Sequence, residues 1–292
     1  MEWLRTFGVV FLALAIQLIA ASGGAANEPV PYVSPRSAVI PITDSVQGGS
    51  YELYIRLPKD YGEDPNARHP VIYATDGKWH FETLAGTIEF MMESAIFVGI
   101  SWQTDLGADE EHISRFRDYT VVPATDPEIQ AQYNVGQAAN HLRFIRDDVI
   151  PYVEDNYQAD PEERTYFGFS LGGLFGAYVL IAEPETFRHY ILGSPSSGER
   201  SLAYLSGLEE EGAPERGDLD VHVYLTVGGL EEDRFEGVNA LADLFARWEG
   251  QGLSLTGPLV IENSGHSDSF PPTAVGGIKW LTDMADAPTE DE

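Results

Sequence analysis

There is no cysteine among the 292 residues. That absence excludes a disulfide framework, a thiolate metal site, a cysteine nucleophile and a thiol-linked lipid anchor. Basic side chains are scarce as well. Seventeen Lys and Arg face 47 Asp and Glu, a formal net charge of −30, and only Lys59, Lys78 and Lys279 are lysines. A polyanion is repelled by phosphate backbones and anionic membrane surfaces, and no local basic patch offsets it, so no nucleic-acid partner is expected. Surplus carboxylate with little lysine suits a protein that stays hydrated in concentrated salt, and suits equally an acidic exported protein. What the chain does have is apolar material, 43% hydrophobic and 11% aromatic, enough for one large core and against disorder.

Residues 1–26 read as an export signal. Arg5 precedes the apolar run Phe7 to Ala21, and Ser22-Gly23-Gly24-Ala25-Ala26 leads into the polar Asn27-Glu28-Pro29. The run is shorter than the ~20 residues that span a bilayer comfortably and is broken by Gln17. Cleavage near Ala26 is therefore expected over a retained anchor. A periplasmic or extracellular location follows, with no stable membrane anchor after cleavage.

Residues 27–292 suit a single α/β domain, and no internal repeat is visible. Residues 38–43 and 51–57 read as strands, the second alternating as a half-exposed antiparallel strand would. Six short apolar runs follow, at 69–74, 95–100, 164–168, 189–192, 221–227 and 258–261, each suited to a parallel strand covered on both faces. Between them, residues 81–92, 137–153, 171–182, 238–248 and 273–285 carry apolar side chains at helical spacing. The expected architecture is a mostly parallel central sheet with antiparallel first strands and helices on both faces. Stretches 102–135 and 198–220 break the alternation and read as long loops. The first suits a lid or binding loop, and the second suits equally a solvated acidic surface.

The segment Gly168-Phe169-Ser170-Leu171-Gly172-Gly173 has the G-x-S-x-G spacing of a nucleophile elbow and sits between a strand and a helix, the context that spacing requires. The competing reading is a tight glycine turn with an inert serine. A serine hydroxyl needs a base. His69, His80, His112 and His141 precede Ser170, and His189 and His222 fall in strand runs. His266, just after the last strand in Asn263-Ser264-Gly265-His266, stands where the base of a Ser…acid…His order belongs. The acid is expected in Gly228-Gly229-Leu230-Glu231-Glu232-Asp233. Glu231, two residues after the glycine pair, is the first choice, and Glu232 and Asp233 suit the start of a helix. Two backbone N–H groups must hold the oxyanion: Leu171, after the nucleophile, and Lys78, in the loop Thr75-Asp76-Gly77-Lys78 after an early strand. Asp76 is expected to fix that loop.

These residues, together with Tyr73-Ala74-Thr75-Asp76-Gly77, Arg117-Asp118-Tyr119-Thr120, Val149-Ile150-Pro151-Tyr152-Val153, Ser194-Pro195-Ser196 and Val227-Gly228-Gly229-Leu230-Glu231, resemble the putative-esterase branch of the α/β-hydrolases, which includes esterase D-like enzymes and siderophore trilactone esterases. The resemblance spans roughly residues 38–281. It implies an α/β-hydrolase fold, Ser170 as nucleophile, His266 as base, Glu231 as acid, and Leu171 and Lys78 as oxyanion donors. Some siderophore members are described as using a Ser-His pair with a weakly engaged acid.

The implied reaction is two-step cleavage of a small-molecule carboxylic ester. An anionic siderophore trilactone and transfer of the acyl group to another alcohol are the alternatives. Arg115 and Arg117 are candidate contacts for an anionic ligand, although the field of −30 opposes one at low salt. Trp79 and Trp102 are candidate walls of an acyl pocket. No cofactor or metal is expected: H-E-x-x-H and a dinucleotide fingerprint are both missing.

Overall fold

A computed structural model describes residues 32–107, 110–212 and 219–285. The export-signal reading of residues 1–26 lies outside the described residues. From Pro35 onwards the chain clusters as one unit.

Eight strands form one sheet in the order β1-β2-β4-β3-β5-β6-β7-β8: β1 Ser37–Thr43, β2 Ser50–Arg56, β3 His69–Ala74, β4 Ile96–Ile100, β5 Ala159–Phe169, β6 His189–Gly193, β7 Val221–Gly228 and β8 Leu253–Ile261. Strand β2 runs antiparallel to both its neighbours, and every other pairing is parallel. The alternation of β2 has the expected cause: Tyr51, Leu53 and Ile55 are buried while the residues between them are half-buried. Strands β4 and β6 are buried along their whole length, because helices cover both faces.

On one face, α1 (Gly77–Met91) and α9 (Phe270–Ala285) lay Phe81, Leu84, Ile88, Ala274, Ile278 and Leu281 over Ile72, Phe97, Phe167 and Ile191. On the other, α4 (Ala138–Phe144), α5 (Ile150–Asn156), α6 (Leu171–Ala182) and α8 (Glu232–Ala246) cover Tyr73, Tyr166, Tyr190 and Leu225. Each large apolar side chain buried in these layers stabilises the fold by about 1.5–3 kcal/mol relative to an exposed one.

The sequence boundaries shift at several helix ends, the expected helix 137–153 divides into α4 and α5, and four further stretches differ. Strand β5 begins at Ala159, five residues before its apolar run. Strand β8 begins at Leu253, because Gly257-Pro258 is absorbed at an irregularity opposite Tyr224 to Thr226 instead of ending the ladder. The 102–135 stretch contains two short helices, α2 (Ser114–Asp118) and α3 (Pro127–Tyr133), the latter capped by the Asp126 carboxylate on the N–H groups of Glu128 and Ile129. The 198–220 stretch is a correction: Glu199–Gly212 forms α7 rather than a loop. Its acidic face hid an apolar one, with Leu205 buried and Glu209 accepting from Trp248 Nε1 at 2.9 Å.

Candidate active site

Strand β5 runs straight into α6, and the residue at the corner is Ser170, at φ 59° and ψ −117°. A non-glycine residue rarely adopts that backbone, so the surroundings must hold it. They do so by close approach. A Cβ on Gly168 would lie 2.2 Å from the Gly172 carbonyl oxygen, and one on Gly172 would lie 2.5 Å from Thr75 Oγ1. Ser170 N–H donates to the Gly193 carbonyl at 2.9 Å and its own carbonyl accepts from Ser196 N–H at 3.0 Å, which ties the corner to the end of β6.

Loops from β7 and β8 bring the other two groups over this corner. Gly229 N–H donates to Ile261 and Leu230 N–H to Ser264, so the end of β7 is hooked to the loop that carries His266. His266 Nε2 lies 2.8 Å from Ser170 Oγ, and His266 Nδ1 lies 2.5 Å from Glu231 Oε1. Glu231 is buried. Its Oε2 accepts from Ser194 Oγ at 2.6 Å and from Gly228 N–H at 2.9 Å. Burial alone would raise the carboxyl pKa, but the bonds from Ser194, His266 and Gly228 outweigh it and hold the group below its ordinary value. Glu231 therefore stays ionised and fixes the imidazole with its proton on Nδ1, leaving Nε2 free to accept. The neighbouring Glu232 and Asp233 are exposed in the first turn of α8.

The Leu171 N–H opens α6 beside Ser170, where the helix dipole favours negative charge. Lys78 is the second residue of α1, and its ammonium pairs with Glu111. The first turn of α1 and that of α6 meet where Gly172 abuts Thr75 and Asp76.

A cavity of about 570 Å³ opens above Ser170. Trp79, Phe116, Phe169 and Phe270 supply apolar walls, and Arg115, Arg234, His80 and His266 line it as well. Burial pushes the His80 imidazole below its ordinary pKa. It stacks on Phe270 with ring centroids 4.3 Å apart, a neutral wall rather than a charge.

Two expected pocket residues are not in this lining. Trp102 is buried behind Trp79, edge-on at 4.6 Å, and its Nε1 donates to Asp76 Oδ1 at 2.6 Å. Arg117 points to the opposite side of its short helix, where it pairs with Asp118 and donates to Tyr51. One helical residue turns the chain by about 100°, so side chains two apart on α2 face nearly opposite ways. Arg115 does reach the cavity. Asp76 holds its guanidinium by two bonds, 2.9 Å from Nε and 2.7 Å from Nη2, and it lies 5.1 Å from the Trp79 ring centre. Two groups were not assigned from the sequence: Arg234, which pairs with Glu231 at 2.9 Å, and Ser194. The only signal for the second was its place in the Ser194-Pro195-Ser196 segment.

Among the described residues no group of three or more His, Asp or Glu is placed to hold a metal ion, and no helix is long and apolar enough to cross a membrane.

A family model described as Putative esterase matches residues 45–242, more than half of the chain. The chain belongs to this esterase family. It is 31% identical over 188 residues to the ferri-bacillibactin esterase BesA of Bacillus subtilis, covering 60% of this chain and 62% of that protein. It is 26% identical over 185 residues to the siderophore triacetylfusarinine C esterase of Aspergillus fumigatus, covering 61% and 62%. The match thus spans a little under two thirds of the length of either curated relative. Among solved structures, the BES protein from Bacillus cereus superposes with a TM-score of 0.76 at 24% identity, covering 88% of this chain and 99% of that one. The siderophore hydrolase EstA from Aspergillus nidulans superposes at 0.68 with 19% identity, covering 89% and 100%. The fold of this esterase-family chain is that of an α/β-hydrolase.

Proposed function

We propose that this esterase-family protein is an exported serine hydrolase that cleaves carboxylic esters through an acyl-enzyme on Ser170. The observation that carries the reading is the unbroken series from Ser170 Oγ to His266 to Glu231, at 2.8 and 2.5 Å. In the first step the Ser170 Oγ bonds to the ester carbonyl carbon as its proton passes to His266 Nε2. The tetrahedral oxyanion takes hydrogen bonds from the Leu171 and Lys78 N–H groups. Collapse breaks the ester C–O bond, and His266 returns the proton to the departing alcohol. Water then attacks the acyl-enzyme with His266 as base again, releasing the acid and restoring Ser170. Export rests on residues 1–26.

A narrower reading makes the substrate a siderophore ester. Two observations favour it: the named relatives are siderophore esterases, and two guanidiniums, Arg115 and Arg234, line a cavity with four aromatic walls, which suits an aromatic, anionic ligand.

The test is turnover of p-nitrophenyl acyl esters, an aryl ester and an iron-loaded trilactone by wild type and Ser170→Ala across a range of salt. Ser170→Ala is expected to lose about 10³-fold or more of the activity and all labelling by a fluorophosphonate. Folded wild type that turns over no ester overturns the proposal. Preference for the trilactone that strengthens with salt supports the narrower substrate, because screening relieves the −30 field. Added alcohol acceptors distinguish hydrolysis from acyl transfer.

A further inference from the structure

The nucleophile is touched from two sides. His266 Nε2 lies 2.8 Å from Ser170 Oγ, and Ser196 Oγ lies 3.2 Å from the same oxygen. Arg234 joins the two sides. Its Nη1 donates to Ser196 Oγ at 2.9 Å, and its Nε lies 2.9 Å from Glu231 Oε1, the oxygen that holds His266. The contacts close a ring: Ser170, His266, Glu231, Arg234, Ser196 and back to Ser170.

The chemistry of the groups sets the direction of every proton in that ring. A guanidinium has donors only, so Ser196 Oγ must accept from Arg234. That leaves the Ser196 hydrogen free to donate to Ser170 Oγ. Glu231 holds the His266 proton on Nδ1, so Nε2 accepts from Ser170. The nucleophile oxygen therefore gives its proton to His266 while receiving a hydrogen bond from Ser196.

We infer that Arg234 is a positioning residue for the chemistry at Ser170, acting through Ser196 and Glu231; the inference rests on the serine-hydrolase reading above. Its first effect is to aim the Ser196 hydroxyl at Ser170 Oγ, where that hydrogen bond fixes the side chain and supports negative charge as the proton leaves. Its second effect is electrostatic. By sharing Oε1, Arg234 competes with His266 for the Glu231 carboxylate, so its removal is expected to strengthen the hold of Glu231 on a protonated imidazole. The other charged or titratable groups near His266 are Arg115 from α2 and His80 from α1, which line the same cavity, and Asp268 on its own loop, whose carboxylate lies beside Gly265. Of these and Arg234, Arg234 is the one bonded to the carboxylate that the imidazole uses.

Two readouts that need no ester test this: titration of the His266 ring by NMR, and the rate of fluorophosphonate labelling of Ser170 as a function of pH. Arg234→Gln is expected to raise the pH midpoint of both by about 0.5 to 1 and to lower the labelling plateau about tenfold. Arg234→Lys keeps the charge without the fork, so it is expected to restore the midpoint but not the plateau. Ser196→Ala is expected to lower the plateau by a similar factor with the midpoint unmoved. A residue that merely opens helix α8 would change thermal stability in all Arg234 variants and move no midpoint. Midpoints and plateaus in folded Arg234→Gln equal to those of wild type overturn the inference and leave the serine-hydrolase reading standing. Wild type that is neither labelled nor active on any ester overturns that reading itself, while the His266 midpoint still reports the influence of Arg234.

Discussion

Two buried carboxylates flank Ser170, each at the carboxyl end of a parallel strand and each beside an arginine. Asp76 follows β3 and pairs with Arg115, and Glu231 follows β7 and pairs with Arg234. They differ in what the second partner is. Both oxygens of Asp76 are taken by groups that keep their protons at neutral pH: Arg115 in a two-bond fork and the Trp102 indole N–H. Glu231 gives Oε2 to Ser194 and Gly228 but leaves Oε1 to an imidazole. A buried carboxylate with both oxygens locked to fixed donors holds structure, whereas one bonded to an imidazole suits the acid of the serine-hydrolase reading proposed above.

The sharpest way to break this comparison is to neutralise each acid in turn. Glu231→Gln is expected to lower kcat/KM per folded molecule about 10³-fold or more, because the amide no longer holds the imidazole in its working tautomer. Glu232→Gln, on an exposed turn, is expected to stay within about twofold; kinetics on the same ester panel compare the two. Activity falling with Glu232→Gln instead would move the assignment of the acid. Asp76→Asn is expected to act mainly on the fold, costing about 3–5 kcal/mol of stability by leaving Arg115 poorly paired, as measured by denaturant unfolding. Its effect per folded molecule on turnover is expected to be much smaller than that of Glu231→Gln.

Smaller effects sharpen the picture. Trp79→Ala removes an exposed cavity wall and the face beneath Arg115, and is expected to raise KM for aryl acyl esters about three- to tenfold with kcat nearly unchanged. Arg117→Gln, outside the cavity, is expected to leave KM for the same substrates unaltered. The smallest effect is on stability against pH. The Glu231 carboxyl is held below its ordinary value, so the stability it contributes is fully present above that ordinary range and is lost as pH falls through its lowered folded-state value. The loss is expected to shrink in Ser194→Ala, which removes one of the bonds responsible, and a series of acid unfolding curves measures it.

Much of this arrangement was legible in the chain because it is local. Parallel strands buried on both faces must be short apolar runs, and six of the eight strands were visible as such runs, with the first two visible as β-rich segments. The elbow was legible because close approach leaves no room for a Cβ at Gly168 or Gly172. His266 and Glu231 followed from chain order and from their distance past a strand end. What was not legible depends on facing. Arg115 and Arg117 look equivalent two residues apart, yet the turn of α2 sends one to Asp76 and the other to Asp118. Trp79 and Trp102 look equivalent too, but one is exposed over the cavity while the other is sealed behind it. The helix at Glu199–Gly212 was masked by its charge, since its buried face rests on a partner far along the chain.

The sequence by itself therefore determined the sheet, the strained corner that presents Ser170, and the order in which Glu231 and His266 arrive. Those features rest on periodicity, on the absence of side chains where the backbone must pass, and on short-range connection, all of which are written in neighbouring residues. Only the tertiary structure decided which polar groups share an oxygen. The bond from Ser194 to Glu231 and that from Arg234 to Ser196 each join segments far apart in the chain, and their formation depends on distances of 2.6 and 2.9 Å. Hydrogen bonds and ion pairs act over a few ångströms, and no pattern along the chain specifies contact at that scale.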